Sequence, residues 1–529
     1  MTLRKIRLTL ATVAMLLITG LFLDFTGTLH AWFGWLAKIQ FLPAVLALNV
    51  GVILCLLALT LVFGRIYCSV ICPLGIFQDV ISALSGTRKK KKYRFSYSPA
   101  KRWLRYTVLA LFVVAIIAGI GSFVALLAPY SSYGRIVQNL FAPLYDWGNN
   151  GLAYLAERAD SYAFYEKEMW MRSLPTFIIA AVTFVVLIVL AWRGGRTYCN
   201  TICPVGTVLS FFARFSWLKV HVDTTKCNQC GLCERSCKAA CIDSKNHTVD
   251  YYRCVTCGNC IGVCHKGAIS FGHPKGIVQP IAMAKAEPQP ASTQPVNKAD
   301  LLNKETAGTV ETTKTTNETI DTGRRTFVIG TAVAATTMAL AQEQKKVDGG
   351  LAAIEDKIAP QRETPLTPPG SLSANNMAQH CTACQLCVTV CPNDVLRPST
   401  GLMTLMQPTM SYERGYCRPE CTKCGEVCPT GAIKPITRAD KTAIQIGHAV
   451  WVRKNCIPLT DGVACGNCAR HCPTMAITMV NSDPNDEQSP LIPVVNTERC
   501  IGCGACENLC PARPFSAIYV EGHEKHRIV

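Results

Sequence analysis

The chain contains no Cys-x-x-Cys-His motif. Its nearest approach, Cys260 to Cys264 followed by His265, has one residue too many for c-type haem attachment. No haem-, molybdopterin- or flavin-attachment sequence stands out either, which leaves any terminal reduction to a partner. Acidic residues are thin: 35 Asp and Glu stand against 53 Lys and Arg, for a net charge of +18. Between Gly64 and Arg105 there is one acid, Asp79, against ten Lys and Arg, including the run from Arg88 to Lys92. This excess lies between hydrophobic segments, where it marks a cytoplasmic loop that follows the positive-inside bias and attracts anionic lipid. No nucleic-acid partner is expected.

Charge is nearly absent from four apolar segments, roughly residues 6–23, 41–63, 104–128 and 174–192. Each approaches the length of about 20 residues that a spanning helix needs. Arg4, Lys5 and Arg7 precede the first, and Arg193 and Arg196 follow the fourth. That bias places the N-terminus, the basic loop and the stretch after Trp192 in the cytoplasm, with residues 24–40 and 129–172 outside. Two stretches repeat at the inner ends of the second and fourth segments: GRIYCSVICPLG at 64–75 and GRTYCNTICPVG at 195–206. The duplication implies two helix hairpins related by a pseudo-twofold. Cys68, Cys72, Cys199 and Cys203 would then converge near the membrane surface, since thiols four apart share a helix face. Soft thiolates select iron, zinc or copper, so an additional metal or a redox-active pair is one reading. The other is structural: Pro and Gly end the helices, and the cysteines are small buried residues. Cys55 is assigned to packing.

Cysteine is abundant, with 30 residues, most of them in Cys-x2-Cys-x2-Cys-x3-Cys runs or close variants. Cys227, Cys230, Cys233 and Cys237 form one run and Cys254, Cys257, Cys260 and Cys264 the next. Such spacing marks two [4Fe–4S] clusters in which the last cysteine of each run serves the other cluster. Cys227, Cys230, Cys233 and Cys264 would hold one, and Cys254, Cys257, Cys260 and Cys237 the other. Lys238 and His265 replace the usual proline after the fourth cysteine, and Cys241 is spare. Four further runs follow: Cys381, Cys384, Cys387, Cys391; Cys417, Cys421, Cys424, Cys428; Cys456, Cys465, Cys468, Cys472; and Cys500, Cys503, Cys506, Cys510. These imply four more clusters, with run one expected to share ligands with run four and run two with run three. Six clusters make a wire rather than a catalytic pocket.

Between the two cysteine-rich halves, residues 274–322 have no apolar period and read as a disordered linker. Residues 323–341 open on Arg324-Arg325 and close on Ala339-Leu340-Ala341, in the manner of a twin-arginine export signal or membrane anchor. The expected fold is therefore a membrane α-helical bundle, with four spans plus a fifth signal or anchor segment, carrying two α+β ferredoxin-like 4Fe–4S domains. The membrane domain covers 1–215, the cytoplasmic two-cluster domain 216–273, an extracytoplasmic linker 342–375 and a periplasmic four-cluster domain 376–529.

Residues 1 to about 272, with four spans, two Cys-x3-Cys-Pro motifs and paired cluster runs, resemble NapH, the membrane quinol dehydrogenase subunit of periplasmic nitrate reduction. Residues 323–529 are similar to NapG, its four-cluster partner with a twin-arginine leader. The departure is the fusion, which leaves the signal internal. The resemblance implies a protein of the bacterial inner membrane that oxidises quinol, menaquinol above all, and delivers electrons to a periplasmic reductase or its cytochrome. Its membrane core also resembles proteins used in maturing respiratory metalloenzymes, which keeps a metal- or thiol-reducing assembly factor as the alternative. Quinol oxidation needs a proton acceptor, and His30, with Asp24 and Lys38 among Phe25, Trp32, Phe33 and Trp35, is the candidate. The bland reading of those aromatics is an interfacial belt.

Overall fold

Runs of Leu, Val, Ile and Ala build most of the helical half. Its main helices are α1 (Thr2–Leu23), α2 (Val50–Phe63), α3 (Pro73–Gly86), α4 (Arg102–Ile117), α5 (Pro129–Ile136), α6 (Leu174–Gly194) and α7 (Pro204–Ala213). The computed structural model describes residues 2–24, 26–86, 95–162, 164–167, 170–273 and 355–528. The linker 274–322, the arginine-led segment 323–341, the Arg88 to Lys92 run and Phe25 lie outside the described residues.

Two helices, Arg4–Leu23 and Leu174–Gly194, have the length and composition to cross a membrane. The other two expected spans are each broken. Residues 41–63 divide into Phe41–Leu46 and α2, because Leu48 takes a φ of 52° and Asn49 caps the second piece by accepting the Val52 N–H at 3.3 Å. Residues 104–128 divide at Gly119, whose φ is +70°, into α4 and Gly121–Leu127. An apolar run hides such breaks, because the residues at the turn are as hydrophobic as the helix around it.

The segment 129–172, expected as an outer loop, is the larger departure. All eight residues of α5 are buried, and α5 packs between α3 and α6. Its continuation is a π-helix, Val137–Phe141, and then a helix, Ala142–Arg158. The polar sequence of α5, PYSSYGRI, has no apolar stripe, so hydropathy reads it as loop. It is buried between α3 and α6, with Gly134 against Cys384 of the second cysteine-rich unit.

Each pair of cysteine runs is folded by a β-hairpin lying between the two runs. Ile242–Asp243 pairs with Thr248–Val249 between Cys237 and Cys254, Leu396–Pro398 with Pro408–Met410 between Cys391 and Cys417, and Ile477–Asn481 with Leu491–Val495 between Cys472 and Cys500. An outer strand pair closes the first unit (Lys219–Val222 with Ile269–Gly272) and the last (Ile444–Trp451 with Ile518–Ile528). Residues 355–375, expected as linker, instead strap the second unit. Lys357 Nζ donates to the carbonyls of Glu507, Asn508 and Cys510 at 2.7–2.9 Å, and Arg362 pairs with Glu507 at 2.5 Å.

The two cysteine-rich units sit at opposite ends of the bundle. The first meets the ends of α2 and α6: the Trp217 N–H donates to Leu61 O at 2.7 Å and the Arg196 N–H to Lys238 O at 2.8 Å. Lys238, in the place the motif usually gives to proline, anchors it further. Its Nζ lies 2.6 Å from Asp79, which also pairs with Arg196 at 2.6 Å and Arg7 at 3.1 Å. Replacing Asp79 by Asn leaves three buried cations facing one another, and the expected loss is about 3–5 kcal/mol. Denaturant unfolding of the detergent-solubilised protein measures it, and an unshifted midpoint would remove Asp79 from the anchor. The second unit meets the other end. Ser122 N–H donates to Met403 O at 3.3 Å, Asn139 Nδ2 to Gln385 at 3.1 Å and Lys423 Nζ to Thr26 O at 3.4 Å, while Arg172 pairs with Asp394 at 3.4 Å.

Candidate iron–sulfur relay

The repeat at 64–75 and 195–206 forms a crossed pair, and most of its identical positions have a physical role. Gly64 and Gly195 take φ values of +73° and +68°, which lets each chain turn out of its long helix. Arg65 and Arg196 are fully buried and reach across the pseudo-twofold: Arg65 donates to Cys199 O at 3.2 Å and Arg196 to Cys68 O at 2.5 Å. Gly75 and Gly206 make room for this, since a Cβ on either would lie under 3 Å from the crossing guanidinium and from the same carbonyl. The buried hydroxyls of Tyr67 and Tyr198 donate to Gln40 at 2.9 Å and Leu127 O at 3.0 Å.

The expected convergence of Cys68, Cys72, Cys199 and Cys203 is present. All four are buried in one core cluster, and every pair among them is close enough to interact electrostatically. Each sulfur also has an N–H directed at it. Gln78 reaches Cys199 at 3.3 Å, the Gly206 N–H reaches Cys203 at 3.3 Å, Arg65 lies 3.8 Å from Cys68, and the Gly75 N–H faces Cys72. Such a donor shell suits sulfur that carries negative charge. Cys55, expected as a packing residue, is exposed on the outer face of α2.

Three cavities are each walled by three cysteines of one run and the last cysteine of its neighbour. They hold Cys254, Cys257 and Cys260 with Cys237; Cys417, Cys421 and Cys424 with Cys391; and Cys500, Cys503 and Cys506 with Cys472. The complementary sets follow from proximity: Cys381, Cys384 and Cys387 lie with Cys428, and Cys456, Cys465 and Cys468 with Cys510. Cys227, Cys230 and Cys233 lie together, and Cys264 shares their core cluster with Cys233. The second unit thus pairs run one with run two and run three with run four, which corrects the nested pairing expected from sequence. The hairpin between each pair is the reason. The donor sets suit [4Fe–4S] clusters, which are held by four thiolates around a cube. Burial pushes the Cys233 thiol up to about 11 and that of Cys503 to about 12, so keeping these two ionised takes a cationic centre. Among the described residues no group of three or more His, Cys, Asp or Glu could hold a single metal ion. The sulfurs surround spaces rather than a point. Cys241 lines the first cavity, with its sulfur 3.4 Å from that of Cys237.

The sets of the second unit form a series. Cys424 of run two interacts with Cys387 of run one, the Cys417 N–H donates to Cys503 O at 2.9 Å, and Cys468 of run three interacts with Cys506. The order in space is run one, two, four, three, with run one against the bundle.

Known proteins similar to this chain are iron–sulfur proteins of the ferredoxin type. A family profile described as "4Fe-4S dicluster domain" matches residues 463–513, and one described as "4Fe-4S binding domain" matches 46–92 and 175–223. Ferredoxin-type protein NapG of Escherichia coli is 32% identical over 177 residues, 31% of this chain and 75% of NapG. The methylamine utilization ferredoxin-type protein MauM of Methylobacillus flagellatus is 32% identical over 30% of this chain and 70% of its own, and NapF of E. coli is 30% identical over 30% and 87%. The chain belongs to the ferredoxin-type iron–sulfur proteins. An uncharacterized protein of Methanocaldococcus jannaschii is 24% identical over 51% of this chain and 86% of its own. No solved structure matches. In this ferredoxin-type chain the two segments matched as a 4Fe–4S binding domain contain the crossed repeats and none of the cysteines of the six runs.

At the end of the bundle facing the second unit, the ferredoxin-type chain brings His30 and Asp24 together. Asp24 Oδ2 lies 3.2 Å from His30 Nδ1 and accepts the His30 backbone N–H at 3.0 Å. Oδ1 accepts from Thr26 at 2.7 Å and the Gly27 N–H at 2.9 Å. Burial works to raise the Asp24 carboxyl, but these hydrogen bonds hold it below the usual carboxylate range. Burial pulls His30 below the usual imidazole value, with Asp24 opposing. Among the described residues His30 Nε2 is buried with no hydrogen-bond partner, so a neutral imidazole with its carboxylate behind it presents an open nitrogen. Lys38 is exposed and takes no part, and Trp32 and Trp35 are exposed.

Proposed function

We propose that the chain is a membrane quinol dehydrogenase that passes electrons from menaquinol through [4Fe–4S] clusters to a periplasmic reductase or its cytochrome, of which nitrate reductase is one. The observation that carries this reading is the placement of two cluster-binding units at opposite ends of a helix bundle, with four thiols buried between them. On this reading α1, α2, α4 and α6 form the membrane bundle, with the first unit in the cytoplasm and the second in the periplasm. Leu8, Leu10, Val13 and Leu16 of α1 and Val182, Val185, Val186 and Val189 of α6 face outward, and so large an apolar surface suits lipid. The arginine-led segment then carries the second unit across as a Tat-type signal or anchor. The resemblance to NapH and NapG suggests the substrate class, and the relation to the ferredoxin-type proteins NapG and NapF supports iron–sulfur electron transfer.

An apolar layer about 30 Å thick separates the two units, so an intermediate carrier is required. Cys68, Cys72, Cys199 and Cys203 are its ligands on this reading, and the match of their segments to a 4Fe–4S binding domain supports an iron–sulfur centre there. When bound, the clusters supply one-electron steps. The chain's own residues do the rest. Arg65 and Arg196 balance the charge of the thiolates, and Tyr198, beside Cys203 and Arg135, fills the gap toward run one. His30 Nε2 accepts a proton from quinol, whose oxidation to quinone releases two protons and two electrons, and Asp24 stabilises the resulting imidazolium. The Thr26 contact with Lys423 holds this pair beside run two.

The test is anaerobic. Oxidised, detergent-solubilised protein is mixed with a menaquinol analogue, and cluster reduction is followed by visible bleaching and EPR. Rapid reduction is expected. Full cluster loading with no response to any quinol would instead favour the assembly factor, which reduces a metal or thiol substrate.

A further inference from the structure

Run one of the second unit rests on α5 at backbone contact. A Cβ on Gly134 would meet Cys384 O and the Phe22 ring at 2.6 Å, so only glycine allows the approach. The next residue, Arg135, is 1% exposed, and its charge lies beside the Cys384 sulfur and the Tyr198 hydroxyl. Its Nη2 donates to Ser132 at 3.2 Å, whereas its Nη1 is buried with no partner among the described residues. Among the described residues no carboxylate pairs with it. Burying a lone guanidinium in this way is unfavourable unless an anion answers it.

Three neighbouring groups are in the same position. The Tyr130 hydroxyl, close to Cys384 and Cys428, the Thr382 hydroxyl and the Gln385 amide nitrogen are buried and without partners among the described residues. Thr382 and Gln385 stand between the ligands of run one, and all of these groups can donate a hydrogen bond. What is missing is an acceptor with negative charge and several lone pairs. The cations inside the second unit, buried Lys441 and half-buried Lys357, differ. Lys441 donates to the carbonyls of Arg418 and Cys421, and Lys357 to those of Glu507, Asn508 and Cys510.

We propose that Arg135, with Tyr130, Thr382 and Gln385, is the counter-charge of the cluster held by Cys381, Cys384, Cys387 and Cys428, and raises its reduction potential so that electrons leaving the bundle are captured there. The inference rests on the reading of this set as a four-iron cluster. Arg135 is a positioning residue: its charge lies near the ligand Cys384 and stabilises the added electron from there.

The test is an EPR-monitored redox titration of the full-length, cluster-loaded protein. The run-one signal is identified as the one altered in a Cys384→Ser chain. In Arg135→Gln that cluster should become at least tenfold harder to reduce, about 59 mV for a one-electron couple. The other clusters should hold their potentials, and Arg135→Lys should recover most of the shift. Tyr130→Phe, which removes one donor and keeps the charge, should lower the same potential by a smaller step. It serves as the reading if the Gln chain does not load. Full loading with an unchanged run-one potential in Arg135→Gln, or in Tyr130→Phe where only that chain loads, would overturn the inference. A wild-type chain with iron and sulfide short by one cluster and no run-one signal would overturn the cluster reading itself.

Discussion

A Cys68→Ser/Cys199→Ser chain will load all six clusters of the cysteine runs and fail to pass electrons between its two units. The two cysteines lie on opposite halves of the crossed repeat, so the double change removes half of the buried sulfur set while leaving Pro73, Pro204, Gly75 and Gly206 to shape the helices. Serine nearly keeps the volume, and neither ligand belongs to a ferredoxin run, so loading is expected to survive. Transfer between the units should fall by ~100-fold or more, because loss of ligands exceeds the 10- to 100-fold cost of removing an outer partner of a metal site. Oriented proteoliposomes, reduced from one face and freeze-quenched for EPR, separate the two units' signals. Quinol-driven reduction of the four-cluster unit should persist, since His30 lies on that side of the quartet. Unchanged transfer across the bundle would take the four thiols off the path.

His30→Lys or His30→Gln should lower quinol oxidation by ~10²- to 10⁴-fold, the usual contribution of a positioned general base. Lysine places a permanent charge where a proton has to land, and glutamine cannot accept the proton. Reduction by dithionite should be unaffected in both, because the clusters do not depend on the imidazole. The sign of the pH dependence follows from the base being the neutral form. Burial pulls the His30 pKa below the ordinary value of ~6.5, with Asp24 opposing. The wild-type rate should therefore be level at neutral pH and fall as pH drops through that lowered pKa. Asp24→Asn removes the opposing charge, so the acid limb should move to still lower pH while the plateau rate falls. An acid limb that stays in place in Asp24→Asn, or full turnover in either His30 variant, would dissociate this pair from the chemistry.

The four-cysteine runs were legible one by one, because a cubane needs thiolates at short fixed spacings and little else has that pattern. Their pairing within the second unit was not. It depends on Leu396–Pro398 with Pro408–Met410 and on Ile477–Asn481 with Leu491–Val495, hairpins of three to five residues a side whose apolar signal is too brief to read. The repeat at 64–75 and 195–206 predicted a pseudo-twofold and converging thiols from sequence alone, since duplicated helix ends in one chain tend to meet. It could not reveal that Arg65 and Arg196 cross the axis to the opposite cysteine carbonyl, because a contact between residues 128 positions apart leaves no local trace. Long apolar composition marked α1 and α6 correctly, but a turn at Leu48 or Gly119 costs no hydrophobicity and so was invisible. The reverse holds for α5. Its tyrosines, serines and Arg135 read as solvent-facing, yet they are buried between α3 and α6 and against the second unit, and only the packed tertiary structure supplies that cover.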